Sequence, residues 1–347
     1  MHIDVQDVHK KWKLFTLTNK HGMRVSILNF GGILTDISVM NKQGVLENVV
    51  LGFKDVADYE HNPNYIGALI GPVAGRIENS NFQLGGKKFS LEANEGPHHL
   101  HGGSGGFHQV VWQATSFQTT EKVGVRLTHF RPDGEGGYHG NLDVSVTYTV
   151  TNDNELIIDY EAESDQTTAL TLTNHSYFNL SGHRATPVHD HHITMNSKQF
   201  IELDQALLPT GRKRDVSQTP FDFRKGRKIV DKIESVDEQN KRVDHGYDHY
   251  FIFSKADQNR VIVKEATSGR VLTITTDQPG MVMYTANGLP DDIDIETVEH
   301  EQGKYMGICF ETQAAPASLH HDGFPSVELP AGETYAKQTV FSFHSEK

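Results

Sequence analysis

The stretch "NEGPHHLHGG", residues 94 to 103, gathers three histidines among glycines, and histidine in such a setting either ligates a metal or moves protons. His99 and His101, two apart, would point to one side of a strand and would suit a cupin-like metal site. Such a site needs a carboxylate a few residues later, whereas the first acidic residue after His101 is Glu121. A second run, "VHDHHITM" at 188 to 195, offers His189, Asp190, His191 and His192 but no partner cluster at ligand spacing. Four further stretches put polar groups where a strand pattern expects apolar ones. In "GICFETQ" alternation sets Cys309, Glu311 and Gln313 on one face and Ile308 and Phe310 on the other, so a carboxylate is embedded beside apolar neighbours, where desolvation raises its pKa toward a useful general-base value. In "TLTNHSYFNL" His175 shares a face with Thr173 and Tyr177; "GPVAGRIENS" supplies Arg76, and "HGYDHYFIF" supplies Asp248 at the mouth of a strand. For each of these, a buried ion pair or a strand-edge cap is the alternative.

The elements that must position these groups are strands. "LDVSVTYTV" puts Leu142, Val144, Val146, Tyr148 and Val150 on one face and Asp143, Ser145, Thr147 and Thr149 on the other. Hairpins are expected at Gly85-Gly86 and around Ser268-Gly269, and "ELIIDYEAE", "ALTLTNHSYFNL", "DHYFIF" and "YAKQTVFSF" continue the pattern. Helical periodicity is confined to short candidates near "FKDVADYE" and "DKIESVDEQ". The pattern predicts an all-β fold of stacked antiparallel sheets, with residues 1–347 as one domain, since no composition break or linker divides them.

Composition narrows the partners. With 32 Lys and Arg against 45 Asp and Glu the formal charge is −13, and no basic block tracks phosphates, so nucleic acid and anionic membranes are not expected partners. Cys309 is the only cysteine, the first residues lack the apolar core of a signal peptide, and no run of about 18 apolar residues could span a bilayer. A soluble cytoplasmic protein is the expectation, monomer or homodimer.

Together these stretches resemble the aldose 1-epimerases, also called galactose mutarotases. The resemblance runs along nearly the whole chain: "GRI" at 75 to 77, "LHGG" at 100 to 103, "NHSYFNL" at 174 to 180, "LLPTG" at 207 to 211, "TPFDFR" at 219 to 224, "GYDHYF" at 246 to 251, "YTANGL" at 284 to 289, "FETQAAPAS" at 310 to 318 and "FPSVELPAGETY" at 324 to 335. The resemblance implies a large β-sandwich, often called a supersandwich, that interconverts the α and β anomers of a free aldose such as galactose or glucose without cofactor or metal. It makes Glu311 the general base, His175 the general acid and His101 a second active-site histidine near the ring oxygen, while Arg76 and Asp248 hold sugar hydroxyls. Within the histidine run it selects His101 as the acid-base candidate and leaves His98 and His99 as neighbours. Two departures flank the implied sugar pocket. "GPVAGRI" stands where relatives often have an arginine after the first glycine and an asparagine before the arginine, and Pro97-His98 stands where an asparagine is usual.

Ring opening takes a proton from the C1 hydroxyl and gives one to the ring oxygen. The expectation is therefore an ionised Glu311 beside a charged His175, each worth about 10²- to 10⁴-fold. Tyr177 and Tyr284 offer aromatic faces for the sugar, with core packing as the alternative for both and for Phe178. Competing readings are a hexose-6-phosphate epimerase, which needs extra cations at the pocket rim, a sugar-binding sensor without turnover, and a metal-dependent isomerase.

Overall fold

A computed structural model of the chain describes residues 1–182, 186–254, 260–290, 293, 295 and 303–346. The strict alternation at 142–150 forms the strand Leu142–Thr151, with its five apolar residues buried. It lies within a nine-stranded antiparallel sheet of order Gln113–Gln118, Lys122–Arg131, Leu142–Thr151, Glu155–Ser164, Thr334–Ser345, Arg270–Thr276, Arg260–Lys264, His192–Met195 and Arg227–Lys228. A five-stranded meander built from residues 2–48 and a six-stranded sheet accompany it. The six strands run Tyr177–Phe178, Ile308–Gln313, Gly280–Tyr284, Asp248–Phe253, Ser197–Leu203 and Pro209–Asp215. Apolar residues from all three sheets, among them Leu17, Ile27, Tyr148, Ile158, Met283 and Phe310, meet in one buried cluster, as the all-β expectation requires.

Both expected hairpins form. Gly85 and Gly86, at φ 57° and 76°, turn Asn81–Leu84 back on Lys87–Ser90, the two positive φ values of a type I′ loop. The other joins Arg260–Lys264 to Arg270–Thr276 through a longer loop, in which the Glu265 carboxylate accepts from the Thr267 and Ser268 N–H groups. The helical candidates shrink. "FKDVADYE" yields a 3-10 turn at Val56–Glu60 capped by Asp55, and "DKIESVDEQ" contributes only the start of the five-residue helix Glu238–Arg242, capped by Asp237.

The strand pattern expected within 169–180 appears instead as three two-residue pieces, Thr168–Ala169, Thr173–Asn174 and Tyr177–Phe178, in three separate sheets. Every residue from 168 to 180 is buried, so the chain there has no solvent face to keep one register, and it is free to bend between partners. His175 sits in one of the bends, its N–H donating to the Ala68 carbonyl and its own carbonyl accepting from Gly67 N–H. Among the described residues no helix is long and apolar enough to cross a membrane.

Candidate active site

Strand register assembles one wall of the site. On the face of the six-stranded sheet opposite Ile308 and Phe310, Tyr177 pairs with Cys309, Cys309 with Tyr284, and Tyr284 with Asp248, making one row across four strands. The next row pairs Glu311 with Val282 and Val282 with Tyr250. A strand with a core-facing Ile308 and Phe310 must turn Cys309, Glu311 and Gln313 the other way, so the alternation seen in the sequence presents the carboxylate.

The facing wall comes from residues 69–77. Leu69–Ile70 pairs with Thr173–Asn174, next to His175, and Arg76–Ile77 pairs with His99–Leu100, next to His101. One short segment therefore fixes both histidines relative to Arg76. The Gln313 amide donates to the Ala74 carbonyl at 3.1 Å and ties this segment to the Glu311 strand.

The two walls enclose a cavity of about 410 Å³ lined by Arg76, His101, His175, Tyr177, Asp248, Tyr284 and Glu311, all seven residues expected from the sequence. His175 Nε2 lies 3.6 Å from Glu311 Oε1, both side chains almost wholly buried, and the His101 ring stands edge-on to that of His175 with centroids 5.5 Å apart. Cys309 Sγ sits 3.5 Å from His175 Nδ1. Tyr177 is 2% exposed, its hydroxyl donates to the Asn64 carbonyl, and its ring lies against His175. Half-buried Tyr284 keeps more of its ring accessible, and its hydroxyl accepts from Gly288 N–H.

The charge states differ from those expected. Burial, then the neighbouring Asp248 carboxylate, push the Glu311 carboxyl well above its ordinary range, with Arg76 pulling the other way. Burial holds the His175 imidazole down to about 4. Burial thus pushes both partners toward their neutral forms, opposite in direction to an ionised carboxylate beside a charged imidazole. Burial, followed by the charges of His175 and Arg76, also keeps His101 well below the usual histidine value.

His101 has a fixed tautomer. Gly75 N–H donates to its Nδ1 at 3.1 Å, so the ring proton resides on Nε2. Among the described residues the one grouping of metal-type side chains is His101, His175 and Glu311, their ligand atoms within 4.8 Å of one another. A metal-bound imidazole donates its second N–H to an acceptor, whereas His101 accepts there, so the donor set does not fit an ion. His99 is excluded from the cupin-like pair outright: its ring is held between the Glu92 carbonyl and the Tyr138 hydroxyl, each at 2.8 Å. His98 accepts from Asn79 N–H, outside the cavity. In the other histidine run, His191 is buried, with Leu180 N–H donating to its Nε2, and Asp190 pairs with Lys228 at 2.6 Å.

Sequence reading missed Glu95, which grips Arg76 through two bonds, and Tyr65, whose ring stands 4.7 Å from that of His101. Neither belongs to a periodic segment. The position of Glu95 inside the histidine run, 19 residues from Arg76, was the only available signal.

Known proteins resemble this chain along nearly its whole length. A family model described as aldose 1-epimerase matches residues 13–342. Galactose mutarotases of Bos taurus and Homo sapiens are 38% and 37% identical over 327 residues, covering 92% of this chain and 91% of theirs. A maltose epimerase of Levilactobacillus brevis is 33% identical, covering 95% of this chain and 93% of its own. Among solved structures, a galactose 1-epimerase from Lactobacillus acidophilus superposes with a TM-score of 0.88 at 29% identity, covering 100% of both chains. An aldose epimerase homologue from C. elegans gives 0.86 at 30% identity, covering 96% of this chain and 99% of that one. With the mutarotase-like sandwich, the buried carboxylate-histidine pair and matches along nearly its whole length, the chain belongs to the aldose 1-epimerase family.

Proposed function

We propose that the chain interconverts the anomers of free aldohexoses, galactose and glucose among them, in the cytoplasm, using its own side chains and no cofactor or metal, and that residues 1–347 act as one domain. The observation that carries this reading is the 3.6 Å approach of His175 Nε2 to Glu311 Oε1 in a buried cavity. The pair holds one mobile proton. When the pair's one proton sits on His175, the carboxylate accepts the proton of the C1 hydroxyl, the C1 to ring-oxygen bond breaks with its electron pair moving to oxygen, and His175 Nε2–H protonates that oxygen. The aldehyde rotates about C1 to C2 and recloses on its other face, with the two roles reversed.

His101, protonated on Nε2 by its tautomer, supplies a fixed hydrogen bond to the ring oxygen. Arg76 and Asp248 hold hydroxyls through charge-assisted bonds, and Tyr284 offers its ring to the sugar's apolar face. A phosphorylated hexose fits less well. Apart from Glu311, the cavity lining carries Glu95, Asp244 and Asp248 against Arg76 and Arg242, and Arg76 is already engaged by Glu95. The tautomer of His101 supports a metal-independent reaction, and the presence of Glu311 and both histidines supports turnover rather than sensing.

Polarimetry on freshly dissolved α-galactose and α-glucose tests the reading. Rotation should relax as fast after exhaustive chelation as before. Glu311→Gln and His175→Asn should each lower kcat by about 10² or more while sugar still binds. Near wild-type turnover in Glu311→Gln, or activity that chelation abolishes and one metal restores, would overturn it.

A further inference from the structure

We propose that Glu95 is a positioning residue that sets Arg76 for hydroxyl binding and keeps it off Asp248; the proposal rests on the hydroxyl-binding role given to Arg76 and Asp248 above. Glu95 Oε2 accepts from Arg76 Nε at 2.7 Å and Oε1 from Nη2 at 2.8 Å, so the carboxylate covers one whole edge of the guanidinium. The free end, Nη1, stands 3.8 Å from Asp248 Oδ2. That separation is too long for a direct hydrogen bond, so donor and acceptor both keep capacity. A hydroxyl oxygen can lie about 2.8 Å from each, accepting from Nη1 and donating to Oδ2. Without a competing carboxylate, opposite charge at such range between two largely buried groups would draw Arg76 onto Asp248 and close the gap that the hydroxyl needs.

The grip is built into the backbone. Glu95 and His98 exchange both backbone hydrogen bonds, at 3.1 and 3.0 Å, which closes the loop that carries the carboxylate. The Asn94 side chain then bonds both the N–H and the carbonyl of Leu100, the residue paired with Arg76. The loop is thus clamped to the strand pair that bears its target. "NEGPHHLHGG" accordingly holds both a group facing the ring oxygen, His101, and the group that orients the hydroxyl-binding arginine.

The test is steady-state polarimetry on Glu95→Ala, Glu95→Gln, Arg76→Ala and the Arg76→Ala/Glu95→Ala double variant, each checked for folding by circular dichroism. Glu95→Ala should raise KM about tenfold or more with kcat within about threefold, since the contact acts equally in ground and transition states. Glu95→Gln, which keeps the size but loses the charge and one acceptor, should fall between wild type and Glu95→Ala, and it carries the test if the alanine variant fails to fold. The double variant should lose no more than Arg76→Ala alone, because Glu95 acts through Arg76. Wild-type KM in Glu95→Ala or in Glu95→Gln, where Arg76→Ala raises it, would overturn the proposal alone. So would a fall in kcat at constant KM, or multiplied losses in the double variant. Wild-type KM in Arg76→Ala would remove the underlying reading of hydroxyl binding as well.

Discussion

At the scale of single residues, the buried pair decides how activity depends on pH. An ionised Glu311 beside a charged His175, the arrangement expected from the sequence, would set the acid limb by the carboxylate and the alkaline limb by the histidine. Burial exchanges them. The active pair carries one proton: it gains a second only as pH falls through the depressed His175 value of about 4, and it loses its last as pH rises through the elevated Glu311 value. The kcat/KM profile should therefore hold as pH falls through the ordinary histidine value and drop only toward pH 4, while the other limb, set by Glu311, is displaced upward from the ordinary carboxylate range. An acid limb near the ordinary histidine value of about 6.5 would show that His175 is charged in the working enzyme.

At the scale of elements, much of the site was legible because it obeys period two. Glu311 and Cys309 were placed on one face by alternation alone, and the register of the neighbouring strands brings Tyr284 and Asp248 into the same row. The stretch at 169–180 was not legible. Its residues are apolar or buried on all sides, and periodicity carries no information about where such a chain bends. Glu95 was missed for a different reason: its partner is reached through a loop closure rather than a repeat. Gly75 shows how a departure from the usual pattern can keep its geometry. It adopts φ 94°, in the left-handed region that asparagine, often found there in relatives, tolerates better than most residues. A Cβ at Gly75 would stand 2.8 Å from Pro316 Cγ, beside the N–H that fixes the His101 tautomer. Gly75→Ala should lower kcat/KM by about tenfold or more in a folded protein, with Gly75→Asn less affected, as polarimetry beside circular dichroism would reveal. Full activity in the alanine variant would mean that this backbone conformation is dispensable.

At the scale of the molecule, buried histidines tie stability to pH. Burial depresses His108, His175 and His191 to about 4 and His249 to about 3, and lowers His101 well below its ordinary value. The unfolded chain takes up these protons as pH falls through about 6.5 while the folded chain refuses them until near pH 4, so stability drains away across that window. Glu311 and Asp248, raised by burial, act in the opposite sense, but the depressed histidines, buried His99 among them, outnumber them. The midpoint of thermal unfolding should fall between pH 7 and pH 5, in one cooperative transition if residues 1–347 form one domain as proposed. A midpoint that rises, or two separate transitions in scanning calorimetry, would contradict these expectations.

The position of the strand Thr334–Ser345 has a consequence for biosynthesis. It lies in the middle of the nine-stranded sheet, between Glu155–Ser164 and Arg270–Thr276. While the ribosome is still adding residues before 334, those two strands have no partner on their facing edges, and the gap between them spans about 10 Å, two strand spacings. Open edges of this kind recruit strands from other chains. Until that strand is in place the nascent protein therefore carries two open edges within one sheet, and loss of Thr334–Ser345 would be far more damaging than its 12 residues suggest.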